Sequence, residues 1–167
     1  MSDKILFRCD AGYESQLGTG HLIRSITIAK ILLKKFKVKK KNILFLIKTE
    51  KKYKLGKKII NYEKFKYKSI HYKIKDYSLN ELKELKKNKF KVVIFDRLGK
   101  INLRFVKELK KDHKQIVCLD DESKNKFLCD LSLNPLVYKK NYTKNNHFSG
   151  NKYNIFPTLL FKSRERK

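Results

Sequence analysis

Short apolar runs, rich in branched and aromatic residues, recur along the chain and are separated by segments with helical spacing. Runs such as ILFLI at 43–47 and VVIF at 92–95 are apolar without alternation, which is typical of strands that are covered on both faces. Strands that alternate with helices predict a parallel sheet with crossover helices. The predicted strands are Lys4–Cys9, Asn42–Lys48, Lys68–Ile74, Lys91–Phe95, Gln115–Leu119 and Cys129–Leu133.

Two helices have clear sequence signals. The first is predicted from Thr19 to Phe36, because apolar residues recur along one of its sides at spacings of four, three and four, starting at Leu22. The second should begin at the capping-box pattern that starts with Ser78, and it should end near Asn88. The pattern therefore predicts an α/β fold, with a Rossmann-like parallel sheet and helices on both faces.

The chain has 167 residues, a length that suits one domain. We expect this domain to cover residues 1–140, because the stretch from Asn141 turns polar and aromatic without clear periodicity. Residues 141–167 are predicted to be the edge of the domain or a connector. No stretch approaches the roughly 20 apolar residues of a membrane-spanning helix, and the start of the chain is charged, so we expect a cytoplasmic protein.

The formal net charge of +27 brings a nucleic-acid partner into consideration. Only six of the 43 basic residues are arginine, however, and the lysines are spread through every segment rather than gathered in a tail. The densest group, Lys34–Lys41, falls where a predicted helix ends. The carboxyl end of a helix favours cations even when no ligand is bound there. We therefore expect solvated lysines rather than a surface that binds nucleic acid.

The three cysteines, Cys9, Cys118 and Cys129, have neither the spacing of a metal site nor that of a redox motif. Each lies in or beside an apolar run, so they are predicted to be free, buried thiols. We expect neither a metal nor a cofactor.

The segment that could carry chemistry begins soon after the first predicted strand. There, Gly18-Thr19-Gly20-His21 leads into the first predicted helix, so that free backbone amides, two glycines and an imidazole come together. Such a site favours a phosphate, and His21 is a candidate general base because it would lie above the carboxyl edge of the sheet. The alternative is a tight turn in which the histidine only caps the helix.

The opening FRCDAGYESQLGTGHLIRSITIAKIL resembles that of the UDP-sugar hydrolases of pseudaminic acid biosynthesis and of the related spore-coat polysaccharide proteins, which are glycosyltransferase-like. The residues that match are Arg8, Asp10, Gly18, Gly20, His21, Arg24 and Ala29. Downstream, FDRLG at 95–99, LDDE at 119–122 and LNP at 133–135 resemble further elements of this family. The resemblance covers about residues 4–165.

The resemblance implies the amino-terminal half of a GT-B fold, with a nucleotide sugar in a cleft between two domains and UDP as the leaving group. It implies that His21 is the catalytic residue, which orients or activates water, or a sugar hydroxyl in a transferase. The nucleotide would be held mainly by a second, carboxyl-terminal domain, which we expect as a separate subunit. The residues implied to bind substrate are Asp10, Gly18, Thr19, Gly20, Arg24, Asp96, Asp121 and Asn134.

Several alternatives are left open by the sequence. Leu98 stands where the family's hydrolases have a tyrosine near the sugar, so the sugar is undetermined. Arg8 is expected to pair with Asp10 and shape the loop, whereas Arg24 would either contact a phosphate or pair with Asp10. Polar residues that follow predicted strands should gather at the same sheet edge as His21; they are Asp96, Asp120, Asp121 and Asn134. Each aspartate among them is equally well explained as a helix cap or turn residue.

Three functions are compatible with these patterns. The first is a catalytic half that works with a partner chain. The second is a basic nucleic-acid-binding domain. The last is a non-catalytic remnant or binding subunit of the same fold. That subunit would present an exposed apolar face near Phe148, Tyr153, Ile155 and Phe156.

Overall fold

The computed structural model describes residues 4–13, 17–112, 114–135 and 145–155. Its strands are β1 (Ile5–Cys9), β2 (Ile43–Lys48), β3 (Lys66–Ile70), β4 (Val92–Gly99), β5 (Gln115–Asp121), β6 (Leu131–Asn134) and β7 (His147–Ser149). Its helices are α1 (Gly20–Lys35), α2 (Lys54–Tyr62), α3 (Leu79–Lys86) and α4 (Leu103–Lys111). The seven strands form one sheet in the order β3-β2-β1-β4-β5-β6-β7, and every pairing is parallel. The predicted α/β, Rossmann-like fold is confirmed.

Helices cover both faces of the sheet, as the unbroken apolar strands predicted. On one face, α1 and α2 pack on a core that includes the stacked rings of Phe7 and Phe45, whose centroids are 5.0 Å apart. On the other face, α3 and α4 pack on a core that includes Phe95 and Phe105, with ring centroids 5.6 Å apart. Alternate residues of each central strand therefore enter different cores, and each face can carry its own polar residues where the strands end.

The strand order reverses at the centre of the sheet. β1 pairs with β2 on one side and with β4 on the other, so the crossovers from these two neighbours run outward in opposite directions. In open α/β sheets such a switch point leaves a crevice beyond the carboxyl ends of the strands, and ligands bind there. The loop that follows β1 and the start of α1 lie at this crevice.

The edges of the sheet differ from the sequence prediction. The third strand was predicted over 68–74, but β3 spans 66–70, because this edge strand has a mostly exposed, lysine-rich pattern that lacks an apolar signal. The seventh strand, β7, was not predicted at all, since its three residues His147–Ser149 are too few to show a period. Both errors fall where a strand pairs on one side only.

The predicted helix at Ser78 is present as α3, but its capping box is only half formed. Ser78 is the N-cap, and its Oγ accepts a hydrogen bond from the backbone N–H of Glu81 at 3.3 Å. The Glu81 carboxylate does not return to Ser78. Instead it accepts from the backbone N–H of Tyr77 at 2.6 Å and binds two arginines in the interior.

The segment predicted as an edge or connector is described only over 145–155. Within it, β7 extends the sheet, and the rings of Phe148 and Tyr153 lie 5.4 Å apart with Phe148 36% exposed. Phe156, which was expected on the same apolar face, lies outside the described residues. In the part of the chain that the structure describes, every helix is too short or too polar to cross a bilayer.

The three cysteines are free and buried, as predicted. Burial raises the pKa of Cys9, and the nearby charge of Asp96 adds to the increase, so this thiol is not a nucleophile. Sγ of Cys118 lies 2.9 Å from Sγ of Cys129, and both are far from the solvent.

Candidate active site

The loop between β1 and α1 is shaped by its glycines. The backbone N–H of Gly12 donates to the carbonyl of Gly18 at 3.0 Å, which closes the loop, and Gly18 has a φ of 42°, a conformation that glycine adopts without strain. A Cβ at Gly12 would lie 2.4 Å from the carbonyl oxygen of Lys52, so no side chain fits there. A Cβ at Gly20 would meet no protein atom within 4 Å. The space above Gly20 is therefore open to a ligand.

Among the described residues, no side chain caps the amino end of α1. Thr19 is the N-cap but makes no side-chain cap hydrogen bond, and the first turn contains no acidic residue. The first N–H groups of a helix have no partner within the helix, and the helix dipole adds partial positive charge at that end. An anion is the ordinary partner for such a terminus, which lies at the crevice beside β1.

His21 lies in the first turn of α1 and contacts the end of β4. Its Nδ1 is 2.9 Å from Oδ1 of Asp96, a carboxylate that is fully buried, whereas the imidazole is 21% exposed. Within the described residues, Nε2 of His21 makes no hydrogen bond. A histidine held at one nitrogen by a buried carboxylate and open at the other has the arrangement of a general base.

Asp96 is held by three residues of α1. Besides His21, the Oγ of Ser25 donates to Oδ2 of Asp96 at 3.0 Å, and Nε of Arg24 donates to the same oxygen at 3.0 Å. Nη2 of Arg24 donates to Oδ1 of Asp96. Because both oxygens of Asp96 are occupied by groups from a single helix, the carboxylate and the imidazole are held in a fixed relative position.

Arg24 also contacts a second carboxylate. Its Nη2 lies 2.7 Å from Oδ2 of Asp120, at the end of β5. Burial lowers the pKa of Arg24, but the hydrogen bond and charge of Asp96, together with Asp120, outweigh burial and raise the pKa above its ordinary range. The guanidinium therefore stays charged. One cation then faces two carboxylates beside the imidazole of His21.

We call these residues the His21 cluster; its members are His21, Arg24, Ser25, Asp96 and Asp120. The sequence predicted that His21 and Asp96 meet at the carboxyl edge of the sheet, and they do. Arg24 pairs with Asp96 and Asp120, however, and not with Asp10 as one of the two alternatives held. The reason is that Arg24 lies on the α1 face, whereas Asp10 bonds toward β2.

A second group of charges occupies the opposite face of the sheet at the same edge. We call it the Glu81 cluster; its members are Arg8, Asp10, Lys48, Asp76, Glu81 and Arg97. Arg97 makes a bidentate pair with Glu81, in which each of two N–H···O distances is 2.6 Å. Nε of Arg8 donates to Glu81 at 2.7 Å, and the Arg97 guanidinium also stacks on the ring of Tyr77 at 4.0 Å from its centroid.

The other three members of the Glu81 cluster are Asp10, Lys48 and Asp76. Nη1 of Arg8 pairs with Asp10 at 2.8 Å, which agrees with the predicted ion pair, and Nζ of Lys48 pairs with Asp76 at 2.8 Å. Burial on its own would raise the pKa of Glu81, but Arg97 and Arg8 lower it to about 2. Three cations therefore balance three carboxylates, of which Asp10 and Glu81 are buried and Asp76 is exposed, and the group serves to hold α3 against the sheet.

The other predicted substrate-binding residues have bonds within the protein. Both oxygens of Asp10 are used, one by Arg8 and the other by the backbone N–H of Lys48 at 2.7 Å. Asp121 accepts from the backbone N–H of Ile101 at 2.7 Å and from Ser123. Asn134 is buried at the end of β6, where its backbone carbonyl accepts a hydrogen bond from the backbone N–H of Gly150. These bonds stabilise loops, and a substrate contact stays a prediction for all three residues.

Asp120 belongs to the His21 cluster, although the substrate-binding residue predicted from the sequence was its neighbour, Asp121. In β5, Ile116 and Cys118 enter the α3 and α4 core, so regular alternation would direct Asp120 to that side and Asp121 toward α1. Asp120 has a φ of 57°, which inverts the alternation and directs its side chain toward Arg24. No sequence pattern predicts a left-handed conformation at Asp120. The two adjacent aspartates after an apolar strand were nevertheless a signal by which this part of the site could have been found.

No group of three or more metal-binding side chains is arranged around a common point in the described parts of the chain. No family model, curated protein or solved structure matches this chain. The class of protein that the fold defines is a Rossmann-like α/β domain with a polar site at its topological switch point.

Proposed function

We propose that this chain is the catalytic half of an enzyme that cleaves a UDP-sugar, by hydrolysis or by transfer of the sugar, in the synthesis of a surface polysaccharide or a pseudaminic-type sugar. The observation that carries the proposal is the position of His21, whose Nδ1 lies against buried Asp96 and whose Nε2 makes no hydrogen bond among the described residues. The resemblance of the opening segment to UDP-sugar hydrolases supports the same function.

The reaction needs a base beside the anomeric carbon. Nε2 of His21 accepts a proton from water, or from a sugar hydroxyl, as that oxygen forms a bond to the anomeric carbon. The bond from the anomeric carbon to the diphosphate breaks, and UDP leaves with the electron pair. Asp96 holds the ring and stabilises the imidazolium that forms. General-base catalysis of this kind contributes about 10²- to 10⁴-fold to a rate.

The leaving diphosphate needs positive partial charge. The amides at the start of α1, which no described side chain caps, would supply it, and the open space above Gly20 would give the diphosphate room to reach them. Well-placed donors of this type contribute about 3–4 kcal/mol each to transition-state stabilisation. Asp96 and Asp120 repel a phosphate, so we place the diphosphate at the loop side of His21, beside Gly18 and Gly20, and the attacking oxygen at Nε2.

A second α/β domain, supplied by a separate subunit, would hold the uridine. Without it the substrate lacks most of the contacts that orient it, and orientation accounts for about 7–11 kcal/mol of the barrier in favourable reactions. The sugar itself is unspecified, because Leu98 has no hydroxyl to offer at the position of the family's tyrosine. The cytoplasmic location expected from the sequence is part of this proposal.

The test combines this chain with an α/β domain of the kind expected as its partner, such as one encoded by a neighbouring gene, and measures UDP release from a panel of UDP-sugars. We expect release only from the combination, and we expect His21→Gln to lower it about 10²- to 10⁴-fold. His71→Gln is the matched control, because His71 is exposed and distant in the chain from the cluster.

Three outcomes would count against the proposal. UDP release that survives His21→Gln would remove the base assignment. A complex that forms but turns over no UDP-sugar would favour the non-catalytic binding subunit. Steeply salt-dependent binding to DNA or RNA, with no effect of UDP-sugars, would favour the nucleic-acid-binding domain.

A further inference from the structure

Two of the three cysteines face each other in the core that α3 and α4 cover. Sγ of Cys118, in β5, lies 2.9 Å from Sγ of Cys129, in the segment that leads into β6. A disulfide bond is about 2.05 Å long, so a movement of roughly 1 Å brings the two sulfurs to bonding distance. The two side chains are 0% and 1% exposed. The fold has therefore placed two buried thiols at a contact that one covalent bond would replace.

The backbone beside Cys129 is anchored to β5. The backbone N–H of Asp130 donates to the carbonyl of Ile116 at 2.8 Å, and Oδ2 of Asp130 accepts from the backbone N–H of Ile116, also at 2.8 Å. In addition, Nδ2 of Asn146 donates to the carbonyl of Cys129 at 2.6 Å. These hydrogen bonds hold the two cysteines side by side before any bond between the sulfurs forms.

The chain on either side of Cys129 is exposed, although the thiol itself is buried. Its neighbours Leu128 and Asp130 are both exposed, and none of the residues in the preceding 3₁₀ turn, Lys124–Leu128, is buried. Segments with few buried contacts open locally at a lower cost in free energy than the core of a domain. Opening of this turn therefore gives a small oxidant, such as hydrogen peroxide, a route to Cys129.

We propose that Cys118 and Cys129 are a modification site, at which a peroxide forms a reversible disulfide between β5 and the segment before β6. A disulfide of this kind is reversed by attack of a thiolate on one of its sulfurs. Neither cysteine belongs to the His21 cluster, so the inference is independent of the proposed function.

The reaction consumes one peroxide for each disulfide. The thiolate of Cys129 attacks one oxygen of hydrogen peroxide, the O–O bond breaks, and the second oxygen leaves as water with the proton of the thiol. The sulfur of Cys129 is then a sulfenic acid. Sγ of Cys118 attacks this sulfur, loses its own proton and expels the hydroxyl as a second water. The two sulfurs together lose two electrons, and the peroxide gains them.

The first step is assigned to Cys129 because of the surroundings of Cys118. Its contact with Cys129, together with burial, raises the pKa of Cys118, and a thiol with a raised pKa supplies little of the nucleophilic thiolate. Cys118 also lies within a strand that pairs on both sides, whereas Cys129 follows a turn at the surface.

Cys9 is an internal control for the reaction. It belongs to the core on the other face of the sheet, which α1 and α2 cover, so a bond to Cys118 or Cys129 would have to cross the sheet. Cys9 is fully buried like the proposed pair. A peroxide that reacted with buried thiols in general would therefore modify Cys9 as well.

The experiment counts free thiols in the full chain. The reduced protein is freed of reductant, treated with hydrogen peroxide, quenched with catalase, unfolded in guanidinium with N-ethylmaleimide and analysed by mass spectrometry. The chain has three cysteines, so we expect three maleimide adducts before oxidation. After oxidation we expect one adduct, on Cys9, and a peptide pair that joins Cys118 to Cys129. Dithiothreitol should restore all three adducts.

Two variants and a stability measurement sharpen the result. Cys9→Ser should still form the cross-link, whereas Cys129→Ser should keep both of its remaining thiols. In the wild type the disulfide closes a loop of about a dozen residues, so we expect oxidation to raise the melting temperature by about 5–10 °C and dithiothreitol to reverse the rise. The wild-type measurements need no substitution, so they decide the matter even if a variant does not fold.

Several results would overturn the proposal. Three adducts after peroxide treatment would do so, as would sulfinic or sulfonic acids without any cross-link. A bond that involves Cys9, or one that joins two chains and doubles the mass, would show that the contact in the core is not the reactive one. A cross-link between Cys118 and Cys129 that lowers the melting temperature would contradict a fold that holds the two sulfurs ready to bond.

Discussion

The two charged clusters lie at the same edge of one sheet, on opposite faces, and differ in how their bonds are used. In the Glu81 cluster three cations meet three carboxylates, and Glu81 alone accepts from two arginines and a backbone amide. In the His21 cluster one cation meets two carboxylates, Oδ1 of Asp120 has no hydrogen-bond partner among the described residues, and the imidazole is partly exposed. The first arrangement holds the fold together, whereas the second leaves bonding capacity for something outside the protein.

This difference gives a way to decide whether a charged cluster near a ligand crevice stabilises the fold or binds a ligand. Ion pairs between arginine and a buried carboxylate occur in both clusters, so burial and charge alone do not identify the functional one. The balance of charge and the number of unused donors and acceptors do distinguish the two. One atom of the Glu81 cluster, Nε of Arg97, also has no hydrogen-bond partner in the described part of the chain, but it is buried and the guanidinium lies over the ring of Tyr77.

The largest effect is expected from breaking the Glu81 cluster. Glu81→Gln leaves Arg8 and Arg97 buried without their shared carboxylate, so we expect the free energy of unfolding to fall by about 3–5 kcal/mol in urea titrations. Glu84→Gln on the same helix is the control, because Glu84 makes only a surface pair with Lys87. A loss below about 1 kcal/mol for Glu81→Gln would show that the cluster is not what holds α3.

The pH dependence of stability should follow the same cluster. Burial would raise the pKa of Glu81, but Arg97 and Arg8 lower it from 4.5 to about 2. Since the folded pKa is the lower one, the unfolded chain binds the proton first, and the stabilisation is present above pH 4.5 and lost as the pH falls toward 2. We expect about 3 kcal/mol to be lost over this window, with the pKa of Asp76 lowered in the same direction.

Unfolding in urea across this pH range checks that expectation. In Glu81→Gln the acid-dependent loss should be smaller, because the titrating carboxyl is gone. An equal loss in the variant and the wild type would assign the acid sensitivity to other groups.

Smaller effects on stability are expected from adding a methyl group at Gly12, where the space is occupied, and at Gly20, where it is open. Gly12→Ala places a Cβ against the carbonyl of Lys52, and we expect a loss of about 1–3 kcal/mol in thermal or urea unfolding. Gly20→Ala meets no atom and should leave stability unchanged, while narrowing the space in which we place the diphosphate. Equal losses in the two variants would contradict the open space above Gly20.

A small effect on stability is also expected from changing His21, the proposed base. His21→Gln removes one partner of Asp96, which keeps its bonds to Arg24 and Ser25, so the free energy of unfolding should change by no more than about 1 kcal/mol. Differential scanning calorimetry measures this change. A loss above about 2 kcal/mol would make His21 a structural residue and remove the contrast between the clusters.

The sequence was sufficient for the parts of the molecule that depend on local patterns. Unbroken apolar runs gave the central strands, and helical spacing with a preceding glycine loop gave α1, so the positions of His21 and Asp96 at one edge followed. The partner of Arg24 could not be predicted, since it depends on which face each side chain joins. Asp120 was expected at this edge, but Asp121 was selected in its place as the substrate-binding residue, and the contact of Asp120 with Arg24 depends on a single left-handed residue that inverts the alternation of side chains.

The Glu81 cluster was also largely missed. Arg8 and Lys48 interrupt otherwise apolar strands, which signals buried charge, but Glu81 follows Arg8 by 73 positions and looks in the sequence like half of a capping box. Long-range ion pairs of this kind depend on the packing of α3 against the sheet, which no local pattern specifies.

The most direct test of the central claim is an NMR titration of the wild-type chain with pyrophosphate at constant ionic strength, with sulfate as the control anion. We expect saturable shifts confined to His21 and the amides of Gly18–Gly20, with the exposed lysines and buried His147 unaffected. Shifts spread over the basic surface, equal for sulfate and abolished by salt, would instead mean that the charge of +27 attracts anions without any site at the switch point.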